Sequence, residues 1–208
     1  MTHCFFDEHG VGSRATESKT RSIVASDDRE SGIFRALTTN SMTGIVVWFT
    51  GLPSSGKSRL AERVQSRLAE AGRACCLLDG DRVRELWQPK PGYGAHEREN
   101  FYVTLGNLAA EIAQQGLVVL VAATASKRSY RDHARKRAPA FLEVWLEANA
   151  EECRKRDAKG LYARFARGEV QGLPGEDEPY EPPESVDVRA FGAEDDAALE
   201  LLMQRLSS

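Results

Sequence analysis

The chain has 208 residues, 41% hydrophobic and 28% charged, with a net charge of −3. That balance suits a water-soluble α/β domain with a substantial core, and a pI near 5.9 excludes a generalised nucleic-acid-binding surface. No apolar run approaches the roughly 18 residues of a membrane span, so no membrane partner is expected.

Residues 1–41 are rich in Ser, Thr, Arg, Asp and Glu and lack sustained periodicity. They are expected to form a mobile N-terminal extension, with 42–208 as one domain. They lack the apolar centre of a secretory signal, and their acidic residues disfavour a transit peptide. Met42 stands directly before the first predicted strand and is a plausible alternative translation start. Strands are predicted at 45–50, 74–78, 117–122, 141–146 and 186–188. Helices are predicted at 59–71, over 82–88, and at 97–115, 128–137, 150–156 and 195–206. The helix at 97–115 is expected to carry Phe101, Leu105, Leu108 and Ile112 on one face. Pro and Gly mark loops at 88–94 and 171–184. The alternation implies a parallel sheet with helices on both faces, a three-layer α/β/α fold, with ligands at the carboxyl ends of the strands. Cys4, Cys75, Cys76 and Cys153 show no C-x-x-C spacing and no nearby histidine pair. Zinc is therefore not expected, and a reducing cytoplasm fits best.

Residues Gly51, Leu52, Pro53, Ser54, Ser55, Gly56, Lys57 and Ser58 complete the pattern G-x-x-x-x-G-K-[ST] between a predicted strand and a predicted helix. In that context glycines permit backbone angles that side chains forbid, and loop N–H groups with a helix N-terminus surround a phosphate. Lys57 is expected to reach the β- and γ-phosphates of ATP, and Ser58 to place its hydroxyl on Mg²⁺. Asp79-Gly80-Asp81 follows at the next strand end. Phosphoryl transfer needs one carboxylate near the metal and one near the attacking hydroxyl. Asp81 is assigned to the acceptor hydroxyl or the metal shell, with Asp79 in support. Arg84 is expected to bind an anionic acceptor, whereas Arg82 reads as a solvated first-turn residue. Tyr93, Arg98 and Asn100 suit a nucleotide base and a charged group. Arg128 and Arg131 are expected to face the strand ends more than the other members of their basic run. One arginine of the run at 154–156 is expected to hold the adenine or phosphates of ATP.

These residues resemble the adenylyl-sulfate (APS) kinases. The likeness runs from Ile45 to Val188 and rests on Gly51–Ser58, then Leu77-Leu78-Asp79-Gly80-Asp81-x-Val83-Arg84 and Arg98-x-Asn100. It continues through Arg131-Asp132-x-Ala134-Arg135 and Arg156-Asp157-x-Lys159-Gly160-Leu161-Tyr162, and ends with Gly168-Glu169-Val170 and Pro179-Tyr180-Glu181-x-Pro183. The resemblance implies a P-loop kinase fold and transfer of the ATP γ-phosphate to the 3′-hydroxyl of adenosine 5′-phosphosulfate in sulfate assimilation or sulfonation. It also implies Mg²⁺ and a homodimer. Arg156 falls on the ATP side. Arg84, Tyr93, Arg98, Asn100, Lys159 and Leu161 fall on the acceptor side. The chain departs from the family pattern chiefly near the acceptor. Ala125 stands where some members carry a phosphorylated serine, with Ser126 one place off. Tyr102 and Val103 replace an arginine pair, and Leu173-Pro174-Gly175-Glu176 replaces an aromatic lid sequence. Two other readings stay open. The same chemistry could act on another nucleotide conjugate or a small alcohol, or the chain could be a non-catalytic nucleotide-binding regulator.

Overall fold

The computed structural model describes residues 43–207. The expected extension at 1–41 and the Met42 start lie outside the described residues. Strands β1 (Ile45–Gly51), β2 (Cys75–Asp79), β3 (Val118–Ala122), β4 (Phe141–Leu146) and β5 (Val188–Ala190) form one sheet in the order β2-β3-β1-β4-β5. All four pairings are parallel. The helices are α1 (Lys57–Glu70), α2 (Gly80–Leu86), α3 (Ala95–Gln114), α4 (Arg128–Arg137), α5 (Ala150–Arg156), α6 (Leu161–Ala166) and α7 (Asp196–Ser207).

The central strand alternates between two cores, as the two-residue repeat of a strand requires. Val47 and Phe49 pack on one face with Leu60, Val64 and Leu68 of α1 and Leu199 and Leu202 of α7. Val46 and Trp48 pack on the other with Phe101 and Leu105 of α3 and Ala134 of α4. Strand β1 connects through α1 to β2, and β3 connects through α4 to β4, so the connections leave adjacent strands in opposite directions. A crevice opens where such strands part, and it coincides here with the phosphate loop after β1.

Helix α3 buries Phe101 and Leu105 of the expected stripe and packs Ile112 against the same core, but Leu108 departs from it. Its inward face carries Arg98, Phe101, Tyr102, Leu105, Gly106, Ala109, Ala110 and Ala113, while Leu108 is 38% exposed. Close approach decides this more than side-chain size. A Cβ on Gly106 would lie 3.1 Å from that of Ala134 in α4, so the small residues face the neighbouring helix and sheet. Strand β5 begins two residues later than expected. Asp187 turns its carboxylate to the Glu143 N–H at 2.7 Å, and ladder pairing starts at Val188. Helix α6 was not anticipated. Asp157, which ends α5 at φ 23°, accepts from the N–H groups of Tyr162 and Ala163 and so caps it. The spacing of Leu161, Tyr162 and Phe165 was the available signal.

Candidate active site

A cleft of about 1480 Å³ lies over the carboxyl ends of β1, β2 and β3. Its floor is the turn from β1 into α1. Gly51 adopts φ 150° and Gly56 φ 102°. An added Cβ would sit 2.7 Å from the Leu146 carbonyl at Gly51 and 2.9 Å from the Ala193 Cβ at Gly56, so both glycines are required by conformation and by space. Helix α1 begins at Lys57 with no side-chain cap and no acidic residue in its first turn. Its N-terminal N–H groups and partial positive charge are thus left for an anion. The Lys57 ammonium folds back onto the carbonyls of Gly51 at 3.1 Å and Leu52 at 2.7 Å. Burial pulls it down to about 8 against the opposing pull of Asp81. Pro53 is tied to α6 by a hydrogen bond donated from Tyr162 Oη at 3.1 Å, a support that motif reading missed. Leu52 packs into a third small core around Cys153, Tyr162 and Leu173. Ser55 is wholly buried beneath the loop.

The two carboxylates take different places. Ser58 Oγ donates to Asp79 Oδ2 at 2.5 Å, and Asp79 Oδ1 accepts from the N–H groups of Asp81 at 3.0 Å and Arg82 at 3.2 Å, capping α2. Burial pushes the Asp79 carboxyl up, but the Ser58 and backbone hydrogen bonds and the Lys159 charge outweigh it and hold it below the ordinary value. Asp81 instead lines the open cleft and pairs with Lys159 Nζ at 2.5 Å. Burial pulls Lys159 down, yet the Asp81 and Asp79 carboxylates leave it net raised. The carboxylate behind Ser58 is therefore Asp79, the last residue of β2, whereas Asp81 projects from the first turn of α2. The Ser58 hydroxyl thus meets Asp79, the residue expected in support, rather than Asp81.

Arg84, only 3% exposed, lies between two aromatic rings, with its guanidinium carbon 3.8 Å from the Phe101 centroid and 4.6 Å from that of Tyr93. Its Nη1 donates to Gly92 O at 2.8 Å. Arg82 is exposed, as expected. Arg98 is buried and spends its Nη2 on the carbonyls of Tyr93 at 3.1 Å and Gly172 at 2.7 Å, joining two walls of the cleft. Leu161 and Lys159 line the same end. Asn100 does not. It sits two residues from Arg98, on the opposite side of α3, where its amide meets His96 at 3.0 Å in solvent. Tyr102, read from sequence only as a departure, lines this wall and stacks on Tyr130 with centroids 5.0 Å apart. Arg156 stands at the other end, its Nη1 3.4 Å from the Ser54 carbonyl.

Arg131 does not face the cleft. It is 1% exposed and donates to Glu143 Oε1 at 2.6 Å, Ala125 O at 2.5 Å and Glu181 O at 2.7 Å. Arg128 pairs with Glu181 and Glu184 on a separate rim. Thr50, at the end of β1, donates to Thr124 O at 2.7 Å, which leaves Tyr180 Oη as the donor in their 3.1 Å contact. Burial pushes that phenol up to about 12, so it keeps its proton. Ser126 is wholly buried. Among the described residues no helix is long and apolar enough to cross a membrane.

The adenylylsulphate kinase family model matches residues 43–190. An adenylyl-sulfate kinase of Chloroflexus aurantiacus is 42% identical over 146 residues, 70% of this chain and 78% of that protein. One of Picosynechococcus is 35% identical over 166 residues, 79% of this chain and 94% of that protein. Among solved structures, the APS kinase of Mycobacterium tuberculosis in complex with AMPPNP and APS superposes with a TM-score of 0.74 at 34% identity, covering 80% of this chain and 99% of that one. Shared sequence along most of the chain and a shared fold lead to one conclusion: the chain belongs to the adenylylsulphate kinase family.

Proposed function

We propose that the protein transfers the γ-phosphoryl group of ATP to the 3′-hydroxyl of adenosine 5′-phosphosulfate, giving 3′-phosphoadenylyl sulfate for sulfate assimilation or sulfonation. The observation that carries this reading is the continuity of one cleft from the phosphate loop and Arg156 to Arg84, Tyr93 and Tyr102. Its volume of about 1480 Å³ exceeds the roughly 300–1,000 Å³ typical of a site for one small molecule, which suits a donor and an acceptor nucleotide held together.

In this reading residues 51–58 hold the donor phosphates, Lys57 moves from its own loop's carbonyls to the β- and γ-phosphates, and Arg156 covers the adenine side. Asp81 takes the proton of the acceptor hydroxyl. The bond from the γ-phosphorus to the β–γ bridging oxygen breaks, a bond to the acceptor 3′-oxygen forms, and ADP leaves. Arg84 presents the free edge of its stacked guanidinium to the acceptor anion, and Lys159 and Leu161 bound that end. Arg98 acts by holding the walls rather than by binding the acceptor. A hydroxyl and two carboxylates, all hard oxygen ligands, fit Mg²⁺, which is usually held by one or two protein oxygens plus substrate phosphates. Ser58 would hold it directly with Asp79 behind and Asp81 beside it, and the ion would neutralise phosphate charge. The free thiols of Cys75, Cys76 and Cys153 support a reducing cytoplasm. We also infer a homodimer from the family, and light scattering is expected to give twice the 23.0 kDa chain mass.

Purified protein assayed with Mg²⁺, ATP and APS, beside a panel of nucleotide conjugates, tests the substrate. Turnover of APS is expected, and turnover of another conjugate with none of APS would replace the acceptor. Asp81→Asn is expected to lower kcat by about 10²- to 10⁴-fold, the usual range for a general base. Affinity for ATP should change by no more than about threefold, because the proposed role begins at the acceptor hydroxyl. A loss confined to ATP binding would remove Asp81 from this role.

A further inference from the structure

Ser54 is a non-glycine residue at φ 60°, inside the phosphate loop. Gly56 is left-handed as well, and Ser55 between them is not. Such alternation turns successive N–H groups toward one point and forms an anion-binding concavity. That explains the backbone shape but not the serine. Glycine adopts the same shape freely, while an L-residue with a side chain is disfavoured there. A disfavoured side chain kept at a functional site calls for a gain elsewhere. Ser54 lines the cleft. Ser54 is engaged through its backbone: its carbonyl accepts from Arg156 Nη1. No hydrogen bond of its hydroxyl is found among the described residues. Lys57, which also lines the cleft, lies three residues on.

We propose that the Ser54 hydroxyl donates a hydrogen bond to a γ-phosphoryl oxygen of the bound nucleotide, a contact that glycine could not supply. The inference rests on the donor reading of the cleft and is independent of which acceptor is used. It predicts a split between stability and activity. Ser54→Gly should raise the melting temperature by about 2–4 °C in a protein of this size. It should also lower kcat by about 10- to 100-fold, at or below the usual cost of losing one transition-state donor. Ser54→Ala should lower kcat equally with no rise in melting temperature.

The decisive measurement needs no acceptor. Affinities of wild type and both variants for ADP and for AMPPNP, each with Mg²⁺, would be compared by calorimetry. The expected result is unchanged ADP affinity and a several-fold loss of the preference for AMPPNP. An unchanged AMPPNP-to-ADP ratio in both variants overturns the proposal, as does a glycine variant with full kcat. A fall in ADP affinity together with melting temperature assigns Ser54 a structural role and also overturns it. Failure of the APS assay with this ratio still reduced would reject the acceptor alone.

Discussion

Lys57→Ala is expected to abolish measurable phosphoryl transfer, a loss of about 10³-fold or more, the scale seen when one preorganised charge-stabilising donor is removed. The fold should survive. Among the described residues the ammonium bonds only to carbonyls of its own loop, and burial already disfavours its charge, pulling it down to about 8. Truncation therefore removes a group that contributes little to stability. An incoming phosphate adds negative charge beside it, favours the protonated form and draws the side chain off Gly51 and Leu52. Steady-state kinetics with ATP, beside thermal unfolding, make the check. Near-wild-type turnover in a folded variant would sink the phosphate-loop assignment. A melting temperature lowered by more than about 5 °C, over 1 kcal/mol in a chain of this size, would show a structural role as well.

Arg131→Met is expected to cost about 3–5 kcal/mol of stability, because it leaves the buried Glu143 carboxylate without its main partner. Glu143 is 5% exposed, and Arg135 Nη2 at 2.8 Å becomes its remaining guanidinium contact. The same arginine ties β4 to the Ala125 carbonyl and the Glu181 carbonyl. Ala125 sits at φ 41°, an unfavourable angle held in part through that carbonyl. Loss of Arg131 should therefore also loosen the segment after β3 that carries the cleft residue Thr124. Replacing both charges, as Arg131→Met with Glu143→Leu, should recover much of the stability, since an apolar pair of similar volume avoids the unpaired charge. Urea unfolding of the single and double variants measures the coupling. A single-variant loss under about 1 kcal/mol would show that water or Arg135 compensates for Arg131.

The parallel sheet, the phosphate loop and the pair Asp79 and Asp81 were legible in the chain because each depends on neighbours in sequence. A strand repeats every two residues, a helix every 3.6, and the phosphate loop needs its glycines and lysine at fixed offsets. The placements of Arg131 and Leu108 depend on what lies across the fold. Nothing local distinguishes Arg131, which is locked to Glu143 twelve residues on, from Arg128, which reaches the surface. Leu108 looked like core by size, but the approach of Gly106 to Ala134 rotated it outward. Asn100 matched a motif by order along the chain, yet helical geometry set it opposite Arg98. The sequence alone determined the family chemistry at the donor end, where the backbone of one short loop does the binding. Only the tertiary structure decided which carboxylate stands behind Ser58, which arginines are structural and which aromatics wall the acceptor end. Ser58 meets Asp79, Arg131 meets Glu181 and Arg98 meets Gly172 across 21, 50 and 74 positions of chain, beyond the reach of any local periodicity.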